Sequence, residues 1–273
     1  MSETREVLEL AVELARRAGA LQRDGYERDH EVETKSASID LVTEVDRACE
    51  ALLVGEIRRR RPGDAIVAEE GSARDDTHAG WRWILDPLDG TTNYAHGYPC
   101  FCVSIGVEQG GRREVGVVYD PLRDELFHAV RGGGAWLGNR RLAVSRVETL
   151  ARALVATGFA YDVHRAEDDN LVHFARAVKS AQGVRRGGSA ALDLSYVAAG
   201  RLDAFWELKL HPWDVAAGIL LVEEAGGRVT DPRGGPPPWD GRFVVASNGA
   251  LHAAMLEMLA RDLPPGTGRP AAG

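Results

Sequence analysis

The stretch Trp83-Ile84-Leu85-Asp86-Pro87-Leu88-Asp89-Gly90-Thr91-Thr92-Asn93-Tyr94 runs from apolar residues into two carboxylates three positions apart, with Pro87 between them and Gly-Thr directly after. If Pro87 fixes the bend, Asp86 and Asp89 converge as a hard-oxygen donor pair of the kind that divalent cations such as magnesium take. Gly90 and Thr91 leave backbone N–H groups free to face an anion at a helix start. Metal and phosphate would meet there. Taken alone, Asp-Pro and Asp-Gly are also ordinary turn dipeptides that do no chemistry. The company decides: Glu69 and Glu70 follow the apolar run Ala65 to Ala68, Asp46 stands beside a helical pattern, and Asp214 opens Trp213-Asp214-Val215-Ala216-Ala217-Gly218.

The elements that must position these acids are legible from periodicity. Val7, Leu10, Ala11, Leu14, Ala18 and Leu21 recur at the three-and-four spacing of one helical face between Glu6 and Leu21. Asp46 opens a second such pattern, closed by Pro62 and Gly63. Ala65 to Ala68 and Trp81 to Leu85 read as short buried strands that end in carboxylates. Phe101 to Leu142 alternates apolar runs with turn signals, as an antiparallel meander does. Beyond Val144 the pattern predicts strands at 154–157, 202–206, 228–230 and 243–246, with helices at 164–179, 190–199, 214–225 and 251–260. These readings predict a layered α/β architecture of two closely packed halves, 1–144 and 145–263, sharing a cleft, with a disordered tail over 264–273.

Composition narrows the classes. The chain has 273 residues, 44% of them hydrophobic, enough for a substantial core. Its net charge of −8 gives no global field for nucleic acid, and it has no transmembrane-length apolar run. The N-terminus lacks the pattern of a signal peptide, so a cytoplasmic location is expected. The three cysteines, Cys49, Cys100 and Cys102, are expected as reduced thiols, the latter two on one face of a core strand.

Together these segments resemble the inositol monophosphatase family, part of the lithium-sensitive sugar-phosphatase superfamily that includes fructose bisphosphatases. The resemblance rests on Lys35 through Asp46, Ala68-Glu69-Glu70-Gly71, Trp83 to Tyr94, Gly187-Gly188-Ser189-Ala190-Ala191 and Trp213 to Gly227, in order and over nearly the whole chain. It implies an αβαβα layered sandwich with an antiparallel N-terminal sheet and a mixed C-terminal one. It also implies a Mg2+-dependent phosphomonoesterase with two to three ions per site. Glu69, Asp86 and the Leu88 carbonyl would hold one ion, while Asp86, Asp89 and Asp214 would hold a second. A third, near Glu69, would help hold the attacking water, and Thr91 paired with Asp46 would take or orient its proton. Glu70 matches the family's adjacent acid.

By the same resemblance, Asp89, Gly90 and Thr91 would meet the phosphate, Gly188, Ser189 and Ala190 would lie along the substrate ring, and Glu207 would accept polyol hydroxyls. Inositol 1-phosphate is the first expected substrate among polyol and sugar phosphates. Histidinol phosphate or a bisphosphate is the alternative within the superfamily. Arg185, Arg186 and Lys209 add positive charge near this region, for a second acidic group, a partner or solvent. A homodimer is expected. A regulatory role in binding the transcription and ribosomal-RNA machinery, known from bacterial relatives, is the reading from another class.

Overall fold

The computed structural model describes residues 3–26, 28, 32–34, 41–71 and 80–260. Residues 35–40 of the Lys35–Asp46 match and the tail 264–273 lie outside the described residues.

Two amphipathic helices, α1 (Glu3–Gly25) and α2 (Glu44–Arg60), form the outermost layer. They bury Val7, Leu10, Leu14 and Ala18 from one and Cys49, Leu53 and Ile57 from the other. Each fully buried Leu here contributes about 1.5–3 kcal/mol relative to exposure. Thr43 caps α2, and Asp46, third in the helix, returns a carboxylate to the Thr43 backbone N–H at 2.9 Å, so the cap fixes Asp46 in place. A two-stranded ribbon, β1 (Val32–Thr34) antiparallel to β2 (Leu41–Thr43), leads into this cap.

The second layer is a seven-stranded sheet, in the order β3 (Ala65–Ala68), β4 (Trp81–Asp89), β5 (Cys102–Gln109), β6 (Arg112–Asp120), β7 (Glu125–Val130), β8 (Gly134–Leu137) and β9 (Arg140–Arg141). Its strands β4, β5 and β6 are buried on both faces over most of their length. Val103, Ile105 and Val107 of β5 face α1 and α2, while Cys102 faces the next layer. One expectation is corrected: the sheet is not wholly antiparallel, because β3 pairs with β4 in parallel. That arrangement carries Glu69 and Asp86 off the same edge, since both strands end on the same side. β4 also runs further than expected, through Pro87 to Asp89, with a register shift between Asp86 and Asp89. Pro87 donates nothing to the ladder, and its carbonyl is taken instead by Gln22 Nε2 at 2.8 Å.

The fourth layer is a mixed five-stranded sheet in the order β11-β10-β12-β14-β13. Its strands are β10 (Leu154–Thr157), β11 (Gly183–Arg185), β12 (Ala204–Leu208), β13 (Arg228–Thr230) and β14 (Phe243–Ser247). Between the sheets lie α5 (Ala190–Ala198) and α6 (Pro212–Glu224); α4 (Leu171–Ser180) and α7 (His252–Ala260) cover the outer face. The result is the αβαβα sandwich. Helix α4 starts at Leu171 rather than 164, and its N-cap Asn170 is left-handed at φ 67°. β12 begins at Ala204, two residues later than expected, because 201–203 bend before the strand. β11, only three residues long with a glycine and an arginine, carried no strand signature.

The middle core cluster joins Val118 and Phe127 of the first sheet, Leu194 and Ile219 of the helices, and Phe205 and Val244 of the second sheet. Helix α6 sits unusually close to the first sheet: a Cβ at Gly106 would lie 2.5 Å from the Ala216 Cβ, and one at Gly116 would lie 2.8 Å from the Ala217 carbonyl. A second tie crosses from the loop before β14, where the Trp239 ring covers Arg82 at 4.6 Å and its Nε1 donates to Glu108 at 3.2 Å. Arg82 and Glu108 are themselves a buried ion pair.

Candidate active site

The candidate acids arrive from three elements, β3, β4 and α6. Glu69 follows β3, with its backbone N–H bonded to the Leu85 carbonyl at 3.2 Å. Asp86 and Asp89 leave β4 on either side of the bulge, and the Leu88 N–H donates to Asp86 Oδ1 at 3.0 Å. Gly90, at φ 102°, turns the chain into the five-residue α3 (Thr91–Ala95). A side chain there would meet the Cys100 carbonyl at 2.8 Å, so both the torsion and the space call for glycine. Asp214 is the third residue of α6, where its Oδ2 accepts the His211 N–H at 2.7 Å. Thr91 Oγ1 donates to Asp46 Oδ1 at 2.9 Å and lies 3.1 Å from the Leu88 carbonyl, so the expected Thr91–Asp46 pair is formed.

Asp89 also joins the two halves. Its Oδ2 accepts Ser189 Oγ at 2.7 Å and the Ala191 N–H at 2.7 Å, at the start of α5. Ser189 is 1% exposed, and its hydroxyl donates to Asp89. Gly188 and Ala190 do line the cavity. Glu70 does not, and its backbone N–H goes to Glu50 at 2.7 Å. Cys102 is a buried core thiol 3.8 Å from Asp89, whereas Cys100 precedes β5 and is only partly buried, packed against the same core cluster. Burial pushes the Cys49 and Cys100 thiols up to about 12, and no cysteine lines the cavity.

Glu69, Asp86, Leu88, Asp89, Gly90, Thr91, Glu207 and Asp214 line one cavity of about 530 Å3. Its charge is strongly self-opposed. Burial, then the Glu69, Asp89 and Asp214 charges, hold the Asp86 carboxyl well above its ordinary range. Burial raises Asp89 to about 6 against the opposing hydrogen bonds from Ser189 and Ala191. Burial also raises Asp46 and, with Asp193 and Asp214 nearby, Glu207.

Several lining residues had no assigned role in the sequence. Gly158 follows β10, and a Cβ there would lie 2.1 Å from Glu207 Oε1, so the Glu207 carboxylate rests directly on the Gly158 backbone. Phe159, Ala160, Tyr161 and Asp162 continue that wall. The available signal was positional: parallel β10 and β12 both end here, and ligands gather outside the carboxyl ends of such strands. Lys209 pairs with Asp162 at 2.8 Å and Asp168 at 2.6 Å. Arg186 lines the cavity, exposed and without an ion-pair partner among the described residues, while Arg185 donates only to the Val184 carbonyl.

A sequence model of the inositol monophosphatase family matches residues 3–264. The chain belongs to the inositol monophosphatase family. An inositol-1-monophosphatase of Synechocystis is 43% identical over 259 residues, covering 95% of this chain and 90% of the relative. A relative named Nus factor SuhB, from Pseudomonas aeruginosa, is 45% identical over 265 residues, covering 95% of this chain and 97% of its own length. The solved inositol monophosphatase of Anabaena superposes with a TM-score of 0.87 at 41% identity, over 97% of this chain and 99% of that one. As an inositol monophosphatase family member the chain is a phosphatase that hydrolyses phosphomonoesters.

The donors fit the metal dependence general to the inositol monophosphatase family. They are carboxylates and a carbonyl, without sulfur, and their crowding leaves negative charge that a divalent cation would neutralise. Among the described residues no three His, Cys, Asp or Glu side chains converge closely enough to hold an ion by themselves. Magnesium uses one or two carboxylates and completes its octahedron with water and substrate phosphate, so an open carboxylate-lined cavity suits it better than a closed cage.

Proposed function

We propose that this phosphatase is magnesium-dependent and hydrolyses inositol 1-phosphate or a closely related polyol or sugar phosphate to the free alcohol and inorganic phosphate. The observation that carries the reading is the single cavity shared by the acids Glu69, Asp86, Asp89 and Asp214, the Gly90-Thr91 turn and, at its other end, Glu207. Glu69, Asp86, Asp89, Asp214 and the Leu88 carbonyl would hold two to three Mg2+ ions. Bound there, the ions polarise the phosphoryl oxygens and lower the pKa of water.

The chain's own groups supply the rest. The Gly90 and Thr91 N–H groups orient the phosphate oxygens. Water forms a new bond to phosphorus in line with the P–O bond that breaks, and no phosphoenzyme is formed. The proton leaving that water passes to Thr91 Oγ1 as the Thr91 hydroxyl hands its own proton to Asp46 Oδ1, to which it is hydrogen-bonded; burial lifts Asp46 above the ordinary carboxylate range, which favours a proton there. The departing alkoxide is protonated from solvent water. Glu207, resting on Gly158, accepts hydroxyl groups of the alcohol.

The test is phosphate release from inositol 1-phosphate, histidinol phosphate, fructose 1,6-bisphosphate, adenosine 3′,5′-bisphosphate and β-glycerophosphate, with magnesium and with chelator. Preference for the inositol ester, abolished by chelator and reduced by lithium, is the expected result. Preference for histidinol phosphate or a bisphosphate moves the assignment to that alternative, and turnover indifferent to chelator ends the magnesium reading. Gly158→Ala is expected to displace Glu207 rather than unfold the chain, because the clashing atoms end a flexible side chain. It should raise KM for the inositol ester by about tenfold and leave β-glycerophosphate within about twofold. An equal change in both would remove Glu207 from substrate selection.

The reading extends to a cytoplasmic homodimer. Leu171, Val172 and Val178 of α4, each more than half exposed, offer apolar surface for pairing. No described helix is long and apolar enough to cross a membrane. The 45% identity to a Nus factor SuhB favours one second reading, an additional role in binding the transcription machinery. Tagged protein should then retain transcription proteins from lysate even as an Asp214→Asn variant, and failure of both forms to do so would dismiss that role.

A further inference from the structure

The segment between β10 and α4 leaves the second sheet, crosses the alcohol end of the cavity and returns. Its two ends are fastened to each other. Asn170 is 4% exposed, and its amide donates to Thr157 Oγ1 at 2.9 Å and to the Gly158 carbonyl at 2.7 Å, while Trp206 Nε1 donates to Asn170 Oδ1 at 2.8 Å. Between those ends the chain makes its own turn, with the Arg165 N–H bonded to the Asp162 carbonyl at 2.8 Å. It is a compact loop closed at its base, the geometry of an Ω-loop. Phe159, Ala160, Tyr161 and Asp162 face the cavity.

Beyond its base, the Lys209 side chain ties the loop to the sheet. The Lys209 ammonium lies 2.8 Å from Asp162 and 2.6 Å from Asp168, so a single cation draws together the near and far limbs of the loop. Lys209 is two residues past Glu207, at the end of β12, and its backbone is left-handed at φ 60°. Glycine takes that conformation without steric cost and lysine does not, so the position carries an ammonium where the backbone alone favours glycine. A lone exposed ion pair holds little. Here one three-quarters-buried lysine engages two carboxylates and also lines the cavity, which makes the contact part of the wall.

We propose that Lys209 is a specificity-positioning residue. Through Asp162 and Asp168 it holds the 158–170 loop as the wall that continues from Glu207, so that the site selects a compact hydroxylated ring carrying one phosphate. The proposal rests on the polyol-phosphate reading above. The wall touches only the alcohol end, so its loss acts on KM for ring substrates and leaves the phosphate chemistry in place.

The test uses full-length, magnesium-loaded Lys209→Met and Lys209→Gly variants, with Lys209→Arg as the conservative control and Asp162→Asn/Asp168→Asn as the reciprocal pair. In the Met, Gly and double Asn variants, amide hydrogen exchange across 159–169 should accelerate, with KM for inositol 1-phosphate rising roughly tenfold and kcat moving less than about twofold. β-Glycerophosphate, too short to reach the wall, should keep its KM, and Lys209→Arg should stay near the parent. Adding Lys209→Met to the double Asn variant should change nothing more. Unchanged exchange overturns the proposal, as does a KM shift shared by both substrates or a parental KM in Lys209→Gly. A parent that releases no phosphate from any ester would defeat the functional reading itself, an outcome distinct from an active parent whose variants keep their KM.

Discussion

Asp86→Asn is expected to lower phosphomonoester turnover by about a thousandfold or more while the thermal midpoint, measured in chelator, holds or rises. Asp86 is 1% exposed and surrounded by the Glu69, Asp89 and Asp214 charges. Asparagine keeps the shape and can still accept the Leu88 N–H now bonded to Oδ1. It removes one buried negative charge from a crowded set, which relieves the metal-free fold, and on the proposed reading it removes one of the carboxylates that would hold the ions. Steady-state turnover at saturating magnesium, beside a melting curve, separates the two effects. Parent-like turnover would take Asp86 out of the metal centre.

Asp89→Ala is expected to differ by costing stability as well. Its Oδ2 is the common acceptor for Ser189 Oγ and the Ala191 N–H, and both donors are buried. Orphaning them costs about 1–3 kcal/mol each, offset in part by loss of a desolvated charge, so about 2–4 kcal/mol in total is expected. At about 2–4 °C per kcal/mol for a chain near this size, the midpoint should fall by roughly 5–15 °C. Asp89→Asn, which keeps an acceptor oxygen, should lose turnover but retain most of that stability. Equal melting of Ala and Asn variants would show that the Asp89 link does not hold α5 to the first sheet.

Much of this was legible in the sequence because the acids sit at the ends of strongly patterned elements. Helix α1, the strand carrying Ile84 and Leu85, and the start of α6 follow from apolar spacing and from proline and glycine punctuation. Side-chain pairs between distant segments were legible only where the family resemblance carried them, as with Thr91 and Asp46. The parallel pairing of β3 was not, since four consecutive buried residues fit either direction. Ser189 shows a second limit: its spacing beside Gly188 is the same whether its hydroxyl faces a substrate or Asp89, and only the packing of α5 against β4 decides. The wall at 158–170 was hidden for a related reason. The helix expected from His164 on begins only at Leu171, because Asn170 turns left-handed to reach Trp206, and that tertiary bond overrides the local pattern.

The glycine contacts beneath α6 have a bearing on how such an enzyme diversifies. Because Gly106 and Gly116 admit the helix backbone to the first sheet, the depth of Asp214 relative to Asp86 is set by main chain against main chain. Rotamers and loop lengths have no say in it. Glu207, Lys209 and the 158–170 loop, the alcohol end on the proposed reading, belong instead to the rim of the other sheet. On that reading a lineage can exchange one alcohol for another by rewriting rim positions while the acids at the other end of the cavity are inherited intact.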